Sequence, residues 1–508
     1  MENLYDNVLS MKKIKLAPEQ MLVENNIQTE SSAEVAKILA TDSSVVLDPS
    51  VEALSGEASV SGKVVLNVVY LTTEGELLNQ NAVSPFTHKI KDENIDPSCK
   101  FNIFSDIAGS EISRVSNNQI KVITTLNFDT VVIKNQEIKF LIDGGENTQT
   151  KKYEQNITSH DKQICETFEE TLSATVKNGV KKILMTNVDC IVKDWTAGLG
   201  FAVVELDVYA RVLFADLNDP SELQTIAISK SVKQEIEVQG LNKDSDIDVS
   251  SFIVKDGIQV ELNDAEDTII SVNVPIMVCL NSYSCNSIMA VNDMFSTKNI
   301  IEIANESFEN DKNNKPEYLE GKIEGNVVLS EQTPRVDKYI CTTNVKAQYS
   351  NCYVKGDSLI IEGIVTANVV YLNDELGEMQ SVEIEIPYVL DKNVDYTEDV
   401  LLEPTIFVTD VDVMVKRGRE LFFDAKARAF VNCTKKDVFS HITNVDTIGE
   451  IGERDGAVEL YFAKQNETIW DIAKNLKISP NVITEQNPEL LDPIEKDQSI
   501  AVYFQKKR

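Results

Sequence analysis

Apolar and polar positions divide this chain into short β-type runs. The clearest covers residues 62–71, Gly-Lys-Val-Val-Leu-Asn-Val-Val-Tyr-Leu, where β-branched and aromatic residues dominate and a single charge intrudes. Such a run predicts a strand buried in a sheet. The pattern returns 301 residues later, at 363–372, with seven of ten positions identical. A degenerate middle copy spans 208–214, with Val208 at the place of Val64 and Phe214 at that of Tyr70. The chain reads as tandem copies of one β-rich unit followed by a different small module.

Each copy is expected to open with a short helix-like turn. Val35-Ala36-Lys37-Ile38-Leu39, Val180-Lys181-Lys182-Ile183-Leu184 and Val336-Asp337-Lys338-Tyr339-Ile340 all place apolar residues at i, i+3 and i+4. From Ile38 to Gly62 is 24 residues, and from Tyr339 to Gly363 also 24; from Ile183 to Leu206, which holds the glycine's place, is 23. That spacing supports a repeat more strongly than any single identity. Polar turns follow the central strand at 72–75 and 373–377, then strands with Pro85-Phe86 and Pro387-Tyr388, then acidic loops at 91–96, 244–248 and 391–395. Runs at 120–124, 269–274 and 421–430 close the copies. Many short strands joined by turns predict a mainly β chain, with a sandwich or small barrel in each copy.

These signals divide the chain into a lead-in at 1–29, repeats at 30–143, 165–285 and 317–437, and a final module at 457–508. Linkers are expected at 144–164, 286–316 and 438–456, where polar residues gather. The lead-in, with Met11-Lys12-Lys13-Ile14-Lys15-Leu16, is expected to pair as a strand within the first repeat.

The charge balance narrows function. With 48 basic and 82 acidic residues the net charge is −34, which repels phosphate backbones and anionic membranes. No segment approaches 18 consecutive apolar residues. The first residues are acidic and lack an apolar stretch, so a cytosolic protein is expected. The eight Cys are scattered, and reduced thiols are the simplest expectation.

Catalytic and metal chemistry find little footing. His88, His160 and His441 lie in different neighbourhoods, and no Cys-x-x-Cys occurs. Gly56 to Gly62-Lys63 has five intervening residues where a phosphate loop has four, and Val64 replaces Ser/Thr. Asp244-x-Asp246-x-Asp248 lacks the turn glycine and bidentate Glu of a calcium loop, with Val249 and Lys255 there instead, so a solvated acidic loop is expected. No cofactor is implied, and a non-enzyme is expected. Trp195 is expected in the core.

The last module reads as strand, helix, helix, strand. Val458, Leu460 and Phe462 alternate; Thr468 and Asp471 make a capping pattern; Ile469, Ile472, Ala473 and Leu476 form one helical face. Ser479-Pro480 starts a second helix, Asn487-Pro488 stops it, and Ile500, Val502 and Phe504 form the closing strand's inward face. Trp470 suits both a core packing role and a contact aromatic.

Through the run 466–473, Ile478-Ser479-Pro480, Asn487-Pro488 and Gln498-Ser499-Ile500, the module resembles the LysM family, a small α+β βααβ fold. That resemblance implies a binding groove between the loop before helix one and the loop after helix two. By that resemblance Asn466, Glu467 and Thr468 would stand opposite Ile483, Asn487 and Pro488 across it, while Trp470, Ile483, Lys464 and Lys474 are expected to form or support a protein-binding face. The family's Gly-Asp-Thr turn is Asn-Glu-Thr here, and its Pro-Gly before the last strand is Lys496-Asp497. The repeats, through Val68-Val69-Tyr70-Leu71, Pro85-Phe86, Val369-Val370-Tyr371-Leu372 and Pro387-Tyr388, resemble the SPOCS domain of spore-coat proteins. Tandem SPOCS repeats ending in LysM imply a spore-coat morphogenetic scaffold at the forespore surface in the mother-cell cytoplasm. Its LysM would hold the basement-layer morphogenetic ATPase (SpoIVA-type), with other coat proteins as further partners. The alternatives are a peptidoglycan-binding cell-wall protein and a hydrolase with an unrecognised catalytic domain.

Overall fold

The computed structural model describes residues 3–29, 34–177, 179–219, 222–264, 267–373, 377–396, 399–452 and 457–504. The chain is mainly β, as expected, and the sheets are antiparallel. The first stretch holds β1 (Leu4–Lys15), β2 (Glu19–Gln28), β3 (Val35–Leu47), β4 (Glu52–Leu54), β5 (Glu57–Thr72), β6 (Leu77–Lys91), β7 (Lys100–Ser116) and β8 (Gln119–Asp143). β5 is central in one sheet, between β3 and β6, with β4 beside it. β8 is central in a second, between β7 and the consecutive strands β1 and β2. The lead-in therefore pairs within the first stretch, as its pattern indicated.

The plan recurs twice. The second stretch holds β9 (Thr148–Val176), β10 (Val180–Ala197), β11 (Phe201–Asp216), β12 (Leu223–Glu237), β13 (Asp246–Ile253), β14 (Gln259–Asp264) and β15 (Thr268–Ser296). The third holds β16 (Asn299–Val328), β17 (Val336–Lys355), β18 (Ser358–Asn373), β19 (Met379–Asn393), β20 (Val400–Lys416) and β21 (Glu420–Glu450). β11 lies between β10 and β12, and β15 between β9 and the pair β13 and β14; β18 lies between β17 and β19, and β21 between β16 and β20. In each stretch alternate residues of the two sheets pack together, in two clusters in the first stretch. Val64, Leu66, Val68 and Tyr70 face Ile120, Val122 and Phe128; Val365, Ala367, Val369 and Tyr371 face Leu421, Phe423 and Ala425. Tyr70, Phe214 and Tyr371 are 1%, 2% and 0% exposed and pair with Ile38, Ile183 and Tyr339.

Three expectations are corrected. The helix-like openings are strands, the starts of β3, β10 and β17. Each carries two register shifts at matching places: Val35/Lys37 and Ile38/Ala40, Val180/Lys182 and Ile183/Met185, Val336/Lys338 and Tyr339/Cys341. Each bulge adds a residue to one strand and moves the alternation by one, which produces helical spacing in an extended chain. The linkers are also strands: most of 144–164 lies in β9, the 286–316 segment in β15 and β16, and 438–450 in β21, while 453–456 lie outside the described residues. The turn at 373–377 lies partly outside them too. Finally, Cys165 and Cys279 are not reduced thiols. They stand opposite each other on β9 and β15, Cα atoms 4.1 Å apart, and form a disulfide; the other six Cys are free.

The repeated glycine has a steric cause. A Cβ on Gly62 would lie 2.6 Å from Val46 O and 2.8 Å from a Phe86 ring atom; on Gly363 it would overlap Gln348 O and lie 2.6 Å from the Tyr388 hydroxyl. Gly62 pairs with Phe86 and Gly363 with Tyr388, so each aromatic ring covers a glycine, whereas Leu206 pairs with Val232. Where the glycine is lost the ring is lost with it. Gly62→Ala is expected to destabilise by about 1–3 kcal/mol through overpacking. Adding Phe86→Val should return part of that in a urea unfolding curve; a single variant as stable as the parent would refute the close approach.

The three sheet pairs share two apolar clusters. Ala40, Met185 and Cys341, each just after the second bulge, join Val69, Leu213 and Val370 in one apolar cluster. Leu141, Val291 and Ile442, from β8, β15 and β21, form another. The chain ends in β22 (Val458–Ala463), α1 (Ile469–Leu476), α2 (Pro480–Gln486) and β23 (Gln498–Tyr503), with β22 and β23 paired.

Candidate functional site

The C-terminal module has the predicted order of elements. Thr468 caps α1: its hydroxyl accepts from Asp471 N–H at 3.2 Å, and the Asp471 carboxylate accepts from Thr468 N–H at 3.1 Å. The hydroxyl also donates to that carboxylate at 2.6 Å, and this bond, helped by the one from Thr468 N–H, holds the Asp471 carboxyl below its ordinary pKa. Ile469, Ile472, Ala473 and Leu476 are buried together with Ile483, Ile500 and Val502. Val458, Leu460 and Phe462 form the strand, but their side faces outward, with Leu460 63% and Phe462 76% exposed.

The first loop is closed on itself. Asn466 takes the left-handed conformation, φ 69°, which asparagine adopts more readily than most residues other than glycine. Its N–H donates to Ile494 O at 2.8 Å, and Ile494 N–H donates to Glu467 O at 2.9 Å, which ties the two loops together. Glu467 accepts from the Tyr461 hydroxyl at 2.5 Å and from Lys464 N–H at 3.0 Å. Asp497 accepts from Gln465 N–H at 2.8 Å.

The remaining site residues scatter in role. Ile483 is fully buried, so it supports the module from inside and offers no surface. Asn487 donates through Nδ2 to Ile483 O and Ala501 O, at 3.2 and 3.1 Å, and ends α2. Lys464 and Pro488 are exposed. Trp470 and Lys474 turn to the second stretch: indole Nε1–H donates to Asp293 Oδ2 at 2.7 Å, and Lys474 Nζ lies 2.6 Å from Asp293 Oδ1. Asp293 and Phe295 were not anticipated, because nothing in their local sequence marks a surface met by residues almost two hundred positions away.

A second constellation lies where the three sheet pairs meet. Lys13, 1% exposed, places Nζ 3.1 Å from Asp248 Oδ2, 3.0 Å from Asn313 Oδ1 and 3.8 Å from Glu403 Oε2. Asp248 also accepts from Asn281 at 2.9 Å and the Tyr283 hydroxyl at 2.6 Å. Asn281 reaches Asn102 at 3.1 Å, and Asn102 reaches Glu403 at 3.3 Å. Burial alone would push the Lys13 ammonium down, but Asp248, Glu403 and Asp246 outweigh it and its pKa stands above the ordinary lysine value. Burial pushes the Glu403 carboxyl up, against the pull of Lys13. It pushes Asp246 up as well, reinforced by Asp248, to about 6. His160 is pushed down by burial and sits 3.2 Å from Asn281 Oδ1. Asp248, expected in a solvated loop, is thus a buried partner of Lys13. Trp195, expected in the core, is half-buried: it packs against the core of the second stretch and stands 5.7 Å from the Phe430 ring of the third.

A cavity of about 200 Å³ lies beside this cluster, lined in part by Asn102, Asp248, Asn281, Glu403 and the disulfide. Among the described residues no three His, Cys, Asp or Glu side chains gather as a metal site, and no helix is long and apolar enough to cross a membrane. Comparison with protein-family models, with curated proteins and with solved structures finds no match to this chain.

Proposed function

We propose that the chain is a SipL-like spore-coat morphogenetic protein: three tandem SPOCS-like repeats carrying a C-terminal LysM module. It is a non-enzymatic scaffold at the forespore surface in the mother-cell cytoplasm, and it holds the coat's basement-layer ATPase through that module. The observation that carries this reading is the setting of Trp470. Its indole makes an edge-to-face ring contact and a hydrogen bond to a carboxylate on another part of the protein, the chemistry of a protein–protein contact. The first loop favours the same side, since its backbone donors and Glu467 are already engaged within the module and are withheld from a sugar. Charge fits as well: residues 457–508 carry a net −1, which leaves −33 on the repeats, a soluble self-repelling spacer beside a near-neutral docking module.

Trp470→Ala, shown to be folded by circular dichroism, is expected to weaken capture of the coat ATPase by more than about thirtyfold. Lys464→Glu, on an exposed position, should weaken it less and leave folding intact. Full capture by folded Trp470→Ala, or tight binding of wild-type chain to peptidoglycan with none to the ATPase, would sink the proposal.

A further inference from the structure

The contact made by Trp470 has a definite chemical signature. One carboxylate, Asp293, receives the indole N–H on one oxygen and the Lys474 ammonium on the other. Phe295 meets the indole edge to face at 5.1 Å, and Lys477 Nζ lies 5.9 Å from the centre of the Phe295 ring. Ser479 adds a hydrogen bond to Gln149 on β9 at 3.2 Å. Asp293 and Phe295 are two apart on β15, so they project to one side of the strand. The register shift between Val291 and Asp293 sits directly before them, and such bulges re-aim the side chains that follow. Phe295 is 1% exposed and packs among Ile469, Ile472 and Ile478 of the module.

We infer that the face built by Trp470, Lys474 and Lys477 is a receptor for an extended protein segment carrying a carboxylate two residues before an aromatic ring. β15 fills this receptor within the chain, through Asp293 and Phe295. An external partner on this face presents the same pair and displaces β15; this half rests on the reading of the module as partner-binding. A receptor occupied in cis binds a partner only through its open fraction, so the cis contact lowers apparent affinity by that fraction.

The test uses the full-length chain in a Trp195→Phe background, which leaves Trp470 as the remaining tryptophan. Asp293→Lys sets a like charge beside Lys474, and Asp293→Ala removes the carboxylate without adding charge. Both are expected to release the module, read as a red shift of Trp470 emission and a larger radius of gyration in X-ray scattering, with the circular dichroism of the sheets unchanged. A peptide covering residues 291–298 should then bind the Asp293→Lys chain and not its wild-type counterpart. The coat partner proposed above should bind the released chain about tenfold more tightly. A module that stays docked in both variants overturns the receptor. Release without peptide binding overturns the carboxylate–aromatic specificity, and peptide binding with unchanged partner affinity overturns displacement. Scattering and peptide binding need no coat protein, so they judge the receptor even where capture of the ATPase fails.

Discussion

Lys13→Met is expected to lower the unfolding free energy at pH 7 by about 3–5 kcal/mol, the usual cost of removing one partner from a buried charge pair. The methionine fills a similar volume, so the loss is electrostatic. Asp248 keeps its hydrogen bonds from Asn281 and Tyr283, and Glu403 keeps Asn102, but no cation remains between the two carboxylates. Lys13 has a folded pKa above its unfolded value, so its contribution is complete below the unfolded lysine pKa and is lost only as pH rises through the folded one. Glu403 also has a raised pKa; the folded state holds that proton more tightly, so this group favours folding at low pH. In the variant, protonation relieves the uncompensated charge. Its deficit against wild type should therefore narrow as pH falls from 7 toward about 5. Urea unfolding at both pH values measures this. The triple variant Lys13→Met, Asp248→Asn, Glu403→Gln should recover most of the stability. A single variant within about 0.5 kcal/mol of wild type would show that Lys13 carries no such role.

Tyr371→Ala is expected to cost about 3–5 kcal/mol, because the ring is wholly buried and its neighbours belong to two facing sheets that collapse poorly around a void. The hydroxyl donates to Pro334 O at 3.1 Å, so Tyr371→Phe should cost only about 1 kcal/mol. The middle copy supports that split, since Phe214 holds the same place without a hydroxyl. Thermal and urea unfolding of both variants give the two terms; an alanine variant melting with the wild type would contradict the burial.

The strands were legible where alternation was undisturbed. The run 62–71 read as a buried strand, and in it Val64, Leu66, Val68 and Tyr70 are buried on one face. At Val35 to Leu39 the same reasoning misled, because two bulges within five residues turn a period of two into apparent helical spacing. Polarity misled at 310–316. Asn310 and Asp311 are buried, and their partners, Ser10, Thr158 and the Lys13 backbone, are far away in sequence. The Cys165–Cys279 bond depends on the register of β9 against β15 across a separation of 114 residues, which no local spacing encodes. In the module the cap and the buried face of the first helix were readable because each is a local pattern, whereas Ile483 proved to be core and Phe295 joins that core from β15. The contact of Trp470 with Asp293 was not, because a surface complement lies in a different part of the chain.

The cluster around Lys13 also bears on how such a molecule can arise and be rearranged. Register places Lys13, His160 and Asn313 opposite Ile133, Tyr283 and Thr434, and Asn102, Asp248 and Glu403 opposite Val131, Asn281 and Asn432, one of each set from each stretch. A ring of three identical subunits would set three copies of one side chain against each other there, three ammoniums or three carboxylates with nothing to neutralise them. Within one chain the three stretches need not match, so the first supplies the cation, the second and third its carboxylates, and each adds a neutral amide beside them. Order then becomes information: a gene in which the second and third segments were exchanged would keep every sheet and every core, yet would have to rebuild this axis.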